Sequence, residues 1–146
     1  MATILGIDPG LRGAAAVLEI VAPDGVISGW RLLDVEDAGL VLGALKAADL
    51  VVLETQRASP QMGVASAFAL GCAHGVWLGL LVAASPRAVW HVEPAVWRGA
   101  FGLTSKQDGV AMAREVIGEP TRALRHDEAD AILLAWWGWR AVLSKA

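Results

Sequence analysis

The stretch Ile4-Leu5-Gly6-Ile7-Asp8-Pro9-Gly10 decides how the rest of the chain is read. It is an apolar run with β-branched residues that ends in an acid and then in a Pro-Gly turn signal. It therefore reads as a buried strand, Thr3 to Asp8, followed by a tight turn. A carboxylate at the end of a buried strand adds little to packing and is well placed to face a site at the edge of a sheet. The pattern returns in Leu50-Val51-Val52-Leu53-Glu54, a short, continuously apolar strand of the kind buried in mid-sheet, again closed by an acid.

Working outward, Gly13 to Ile20 is a second strand, and Pro23-Asp24-Gly25 turns the chain into a return strand, Val26 to Leu33. Asp34 to Ala48, with Leu40, Leu42 and Leu45 among polar and small residues, reads as a helix. Ala88 to Val92 is the next strand. Pro94 suits the first position of a short helix that continues through Val96-Trp97. After a loop from Gly99 to Ser105, Thr104 or Ser105 caps a helix through Val110, Met112, Ala113 and Val116 to Ile117, stopped by Gly118 and Pro120. The last helix runs from about Asp127 to Leu143. The expected fold is α/β: a mixed sheet of about five strands, the first three antiparallel and the later β-α-β units parallel, flanked by helices.

Bulk properties fit that picture. A chain of 146 residues suits one domain, residues 1–146, able to bury roughly 70% of its unfolded surface. Its 55% hydrophobic content argues against disorder, and its single cysteine, Cys72, excludes an internal disulfide framework or a cysteine-ligated zinc site. No secretory leader is visible, so the expected home is reducing and cytoplasmic. The net charge of -3 weighs against nucleic-acid binding, although basic residues can still cluster locally. No Asp, Glu, Lys or Arg occurs between Arg57 and Arg87, and Val64 to Ala84 reaches the length of a membrane span. His74, Cys72, Gly71, Gly75, Gly79 and many alanines favour instead a helix packed on the sheet, with room for it to lie also at a dimer interface.

Two further acids stand in His126-Asp127-Glu128-Ala129-Asp130-Ala131. Asp127 and Asp130 are three apart and share a helix face. Each acid has a plainer explanation. Asp8 can cap its own turn, Glu54 can reach solvent from a strand end, and Asp127 and Asp130 can be ordinary acids in a first helical turn. Jointly, two strand-end acids and an i, i+3 pair can converge on one point. An all-oxygen set of this kind suits Mg²⁺ or Mn²⁺, and four mutually repelling carboxylates make sense mainly around cations. Two such ions would activate a water and stabilise the leaving oxygen of a phosphodiester.

The motifs resemble those of the RuvC Holliday junction resolvases of the RNase H-like superfamily. Ile4 to Gly10 with Leu11-Arg12-Gly13 is similar to the opening strand and turn, and Val52-Leu53-Glu54 to the second acidic strand. Ser66-Ala67-Phe68-Ala69-Leu70-Gly71 with Gly75-Val76 is similar to the helix that follows, and Asp127-Glu128-Ala129-Asp130-Ala131 to the paired-aspartate helix. They fall in family order and span nearly the whole chain. The resemblance implies an RNase H-like fold, a homodimer, no membrane, and Mg²⁺-dependent nicking of a four-way DNA junction, with two ions per site and Mn²⁺ as a substitute. It gives Asp8, Glu54, Asp127 and Asp130 the catalytic metal-ligand roles. It places Lys106, with Ser105, where a basic residue contacts DNA, in a bacterial or phage-infected cell. One departure stands out. Thr55 to Met62 holds no aromatic residue where the family often wedges one into the junction, although Arg57 and Met62 lie there.

Among the remaining residues, Arg98, Lys106, Arg114, Arg122 and Arg125 bring basic charge ahead of the paired aspartates, and Lys106, Arg57 and Arg125 are the expected nucleic-acid contacts. His126 is a possible accessory that orients water or touches phosphate, or simply a capping histidine. His74 reads as a core residue and His91 as an outward strand residue. Trp77, Trp90, Trp97, Trp136, Trp137 and Trp139 read as core or interface rather than base-stacking platforms. Three other functions compete with junction resolution: an RNase H-like nuclease for RNA or other branched nucleic acid, a catalytically silent nucleic-acid-binding module, and an actin-like ATPase. The ATPase reading comes from the similarity of Gly6-Ile7-Asp8-Pro9-Gly10 to a phosphate loop, but that fold needs two such domains.

Overall fold

The computed structural model describes residues 1–146. Strands β1 (Ala2–Asp8), β2 (Ala14–Val21) and β3 (Val26–Leu32) come first, then helix α1 (Ala38–Ala47), β4 (Leu50–Glu54), α2 (Val64–Ala84) and β5 (Val89–Val92). Helices α3 (Pro94–Ala100), α4 (Lys106–Ile117) and α5 (His126–Ala141) follow, with a closing 3₁₀ turn, Leu143–Lys145. The strands form one sheet in the order β3-β2-β1-β4-β5. β1, β2 and β3 pair antiparallel, while β4 pairs parallel with both β1 and β5. This is the mixed sheet the sequence implied.

Side chains alternate across a strand with period two, and that alternation sorts the core into two layers. Ile4, Leu18, Leu50 and Val52 join α5 residues such as Ile132 and Leu133 on one face. Leu5, Ile7, Val51 and Leu53 join Val41 and Leu45 of α1 and Trp77 and Leu81 of α2 on the other. Counting on by two from Ile4 and from Leu50 puts Asp8 and Glu54 on the α5 face. Gly6 lies between Ile4 and Asp8 on that same face. A methyl group there would collide with the backbone carbonyl of Ala131 and, at 2.6 Å, with the amide of Ala135. Gly138 does the reverse from the helix: a methyl group on it would meet Val52 Cγ2 at 2.5 Å. At Gly6 strand β1 and α5 thus touch backbone to backbone, and at Gly138 the side chains of Val52, Leu50 and Ile4 pack directly on the helix backbone, approaches that only glycine allows.

The helices differ from expectation in two ways. α1 begins at Ala38 rather than Asp34, because the Asp34 carboxylate accepts the Glu36 N–H in a turn and Asp37 is the residue that caps Leu40. α2, expected as a helix packed on the sheet and also at a dimer interface, does pack on the sheet, but over little of its length. Only Trp77, Leu81 and Ala84 of it are buried, and Val64, Phe68, Val76 and Val82 stand 62–89% exposed. By length and composition α2 could cross a membrane. Here it lies along α1 and seals the sheet with one stripe near its C-terminal end.

Candidate functional site

Asp8 and Glu54 end β1 and β4, neighbouring parallel strands, so the two carboxylates leave the sheet side by side at its C-terminal edge. α5 crosses that edge with its N-terminus, carrying Asp127 and Asp130 in its first turns. The close contact of Gly6 with Ala131 and Ala135 sets how far α5 stands from β1. The four acids feel one another. The charges of Glu54 and Asp127 act on Asp8, those of Asp8 and Asp127 act on Asp130, and that of Asp130 acts on Glu54.

Burial is the main perturbation. Asp8 and Glu54 are the only buried charged side chains in the chain, 8% and 6% exposed. Burial, reinforced by Glu54, pushes the Asp8 carboxyl up to about 6, although the Gly10 N–H bonded to its Oδ1 at 3.0 Å pulls the other way. Asp130 is also pushed up to about 6 by burial, against the pull of Arg98. Glu54 is raised by burial while the hydrogen bond from Trp97 lowers it. The turn-capping role of Asp8 is therefore real, and it coexists with a place in the acid cluster.

Each acid is held by a donor from the protein. Trp97 Nε1 donates to Glu54 Oε2 at 2.7 Å and Gln56 Nε2 to Glu54 Oε1 at 2.9 Å. Arg98 Nη2 donates to Asp130 Oδ2 at 2.6 Å. Arg125 Nε and Nη2 donate to Asp127 Oδ1 and Oδ2 at 3.0 and 3.3 Å. Glu128, between the paired aspartates, turns away and accepts the Arg125 N–H at 2.9 Å, closing the helix start. No three of the carboxylates are drawn into a finished ligand cluster. The donor set still fits a hard divalent cation. It is all oxygen, burial and neighbouring acids raise two of its carboxyls so that a nearby positive charge favours their ionised form, and a guanidinium has already been drawn in among them.

Trp97 and Arg98 are the residues whose contacts with the acids sequence reasoning does not foresee. The core reading of Trp97 holds, since it is fully buried, but neither its bond to Glu54 nor that of Arg98 to Asp130 follows from the sequence. Both reach the acids because α3 lies across the end of β4, a contact spanning 43 residues for Trp97 and 32 for Arg98. The one available signal was an adjacent indole donor and guanidinium in a helix started by Pro94.

The expected nucleic-acid residues are distributed as follows. Arg57 is paired with Glu93 on the surface, and Arg125 is bonded to Asp127 and lies within 3.6 Å of Glu128. Ser105 caps α4 by accepting the Asp108 N–H at 3.1 Å. Lys106 is exposed, forms no ion pair, and opens the turn of α4 whose Gly109 faces Asp130. His126 is exposed at the first position of α5. A cleft of about 340 Å³, bounded by Arg12, Asp34, Arg125 and Glu128, runs beside the start of α5.

No protein-family model and no curated protein matches the chain by sequence. Solved structures do match. A Thermus thermophilus RuvC structure in complex with a Holliday junction substrate superposes with a TM-score of 0.71 at 19% identity, covering 97% of each chain. A second Thermus thermophilus RuvC structure gives 0.69 at 21% identity, covering 95% of this chain and 96% of the other. From its first strand to its last helix, the chain has the RNase H-like fold in the form found in RuvC.

Proposed function

We propose that the protein is a divalent-metal-dependent endonuclease that nicks branched DNA, with the four-way junction as its principal substrate. The observation that carries this reading is the meeting of Asp8, Glu54, Asp127 and Asp130 at one edge of a RuvC-type sheet, three of them with carboxyls raised by burial and by one another. In this reading the four acids hold Mg²⁺ or Mn²⁺, two ions per site. Bound there, the ions would supply an activated water and charge neutralisation at the scissile phosphate.

The chain's own residues prepare that chemistry. Glu54 is oriented by the Trp97 indole and the Gln56 amide, which fix both of its oxygens. Asp8 is fixed by the Gly10 N–H. Lys106, unpaired at the start of α4, contacts DNA phosphate near Asp130. Arg12, on the wall of the neighbouring cleft, is a second free cation for the strand leaving the site. Arg125 serves first to hold Asp127, and Arg57 becomes available to DNA only by leaving Glu93.

Two copies of the chain would cut the two paired strands. The exposed apolar face of α2 is the surface we assign to that homodimer, since a second copy would cover Val64, Phe68, Val76 and Val82. A second reading is favoured by one observation: Thr55 to Gly63, which leads from Glu54 into α2, carries no aromatic side chain to open a junction. A broader preference, for other branched DNA or for RNA, follows from it. Cleavage of a synthetic four-way junction beside flap, duplex and RNA substrates, with and without Mg²⁺ or Mn²⁺, separates the two. Junction nicking that needs the metal supports the first reading, and failure on every branched DNA would sink it.

A further inference from the structure

The acid cluster already contains a cation of its own. Arg98 donates to Asp130 Oδ2 at 2.6 Å, with side chains only 29% and 14% exposed. Its guanidinium lies over the Trp97 ring, 4.7 Å from the centroid, and its charge reaches Asp8 and Glu54 as well. Arg125 differs, sitting further into solvent on Asp127 alone among the four site acids. An arginine cannot shed its proton at any ordinary pH, so this positive charge can be removed only by moving it. A guanidinium and a metal ion compete for one carboxylate oxygen, because like charges a few ångströms apart in a half-buried site repel strongly.

We propose that Arg98 is an exchangeable counter-ion: it neutralises the Asp130 side of the cluster in the metal-free protein and must leave Asp130 Oδ2 before a divalent cation is taken there. This rests on the reading of the four acids as a cation site. The fold suits such an exchange. Trp97 is fully buried and bonded to Glu54, so α3 stays anchored while the next side chain rotates away. The chain thereby avoids an unneutralised cluster in the absence of metal, and its affinity for the cation is lowered by the competition.

The test is calorimetric titration of Mn²⁺ into the full chain and its R98Q and R98K variants, with ¹⁵N spectra of the arginine Nε–H groups. R98Q is expected to bind Mn²⁺ at least about fivefold more tightly than wild type, the lower range of ordinary site-to-site coupling, with R98K in between. The Arg98 Nε–H resonance of the wild type should move as metal is added. Metal-free R98Q should unfold at a lower temperature than wild type, with the gap closing on Mn²⁺. Equal or weaker Mn²⁺ binding by R98Q, or an Arg98 resonance unmoved at saturation, overturns the proposal while leaving the cation site standing. If R98Q does not fold, R98K carries the same comparison. A wild-type protein that takes up no Mn²⁺ overturns the cation site itself, and this inference with it.

Discussion

On the α5 face of the sheet, strand and helix backbones meet at Gly6, strand side chains pack on the helix backbone at Gly138, and a layer from Ile4 to Trp139 is sealed beneath α3, α4 and α5. On the opposite face α1 and α2 close the core with Val41, Leu45, Trp77 and Leu81, and the N-terminal half of α2 is left bare. The first face is closed by the chain's own helices and carries all four acids. The second has apolar surface to spare and none of the acids. The difference teaches a division of labour: close packing where carboxylates must hold fixed positions, and unspent hydrophobic area where a second molecule can dock.

Substitutions can break or sharpen that contrast. The largest effect is expected from Asp8→Asn. Junction cleavage should fall about a thousandfold, since several kcal/mol of transition-state charge stabilisation are at stake, while folding and junction binding persist. Unaltered cleavage by this variant would refute the site. Gly6→Val should lower stability by about 3 kcal/mol or more in thermal or denaturant unfolding, because α5 backbone cannot recede from a packed sheet. Trp97→Phe keeps the ring volume and removes the donor to Glu54. We expect cleavage reduced by about 10- to 100-fold, as for other residues that orient a metal ligand, with a smaller change in melting temperature.

The acids also predict a pH signature. The ordinary value for Asp8 and Asp130 is 3.8, and in the folded chain both stand at about 6. Between those values the folded state holds more protons than the unfolded one, so stability contributed by these groups falls as pH rises through that window and stays lost above it. Metal-free protein should therefore melt at a lower temperature at pH 7.5 than at pH 5, and Mg²⁺ should recover the loss at the higher pH. A melting temperature that rises over that interval would contradict the burial of these carboxyls. The smallest effect on the monomer is expected from Val82→Asp on bare α2. Its stability should change by less than about 0.5 kcal/mol, while sedimentation should show weakened self-association.

The sheet was legible in the sequence because its strands are continuous apolar runs punctuated by Gly, Pro and Asp, and both strand-end acids stood out against them. The i, i+3 spacing likewise puts Asp127 and Asp130 on one helix face. What escaped was non-local or competitive. Asp34 looked helical, but its side chain prefers the turn it makes with Glu36. Trp97 and Arg98 gave no local sign of touching Glu54 and Asp130, because α3 meets β4 and α5 only in the folded chain. The composition of α2 declared it apolar without saying how much of it the chain would cover.

Gly6 has a consequence for anyone mapping the protein by mutation. It carries no functional group, yet it sits two residues from Asp8 and directly against the carbonyl of Ala131, the residue after Asp130. A screen for loss of cleavage would return Gly6 alongside the acids, and only a stability measurement would tell the two apart. The residue works as a spacer: its missing side chain fixes the gap between strand and helix, and with it the width of whatever the carboxylates enclose.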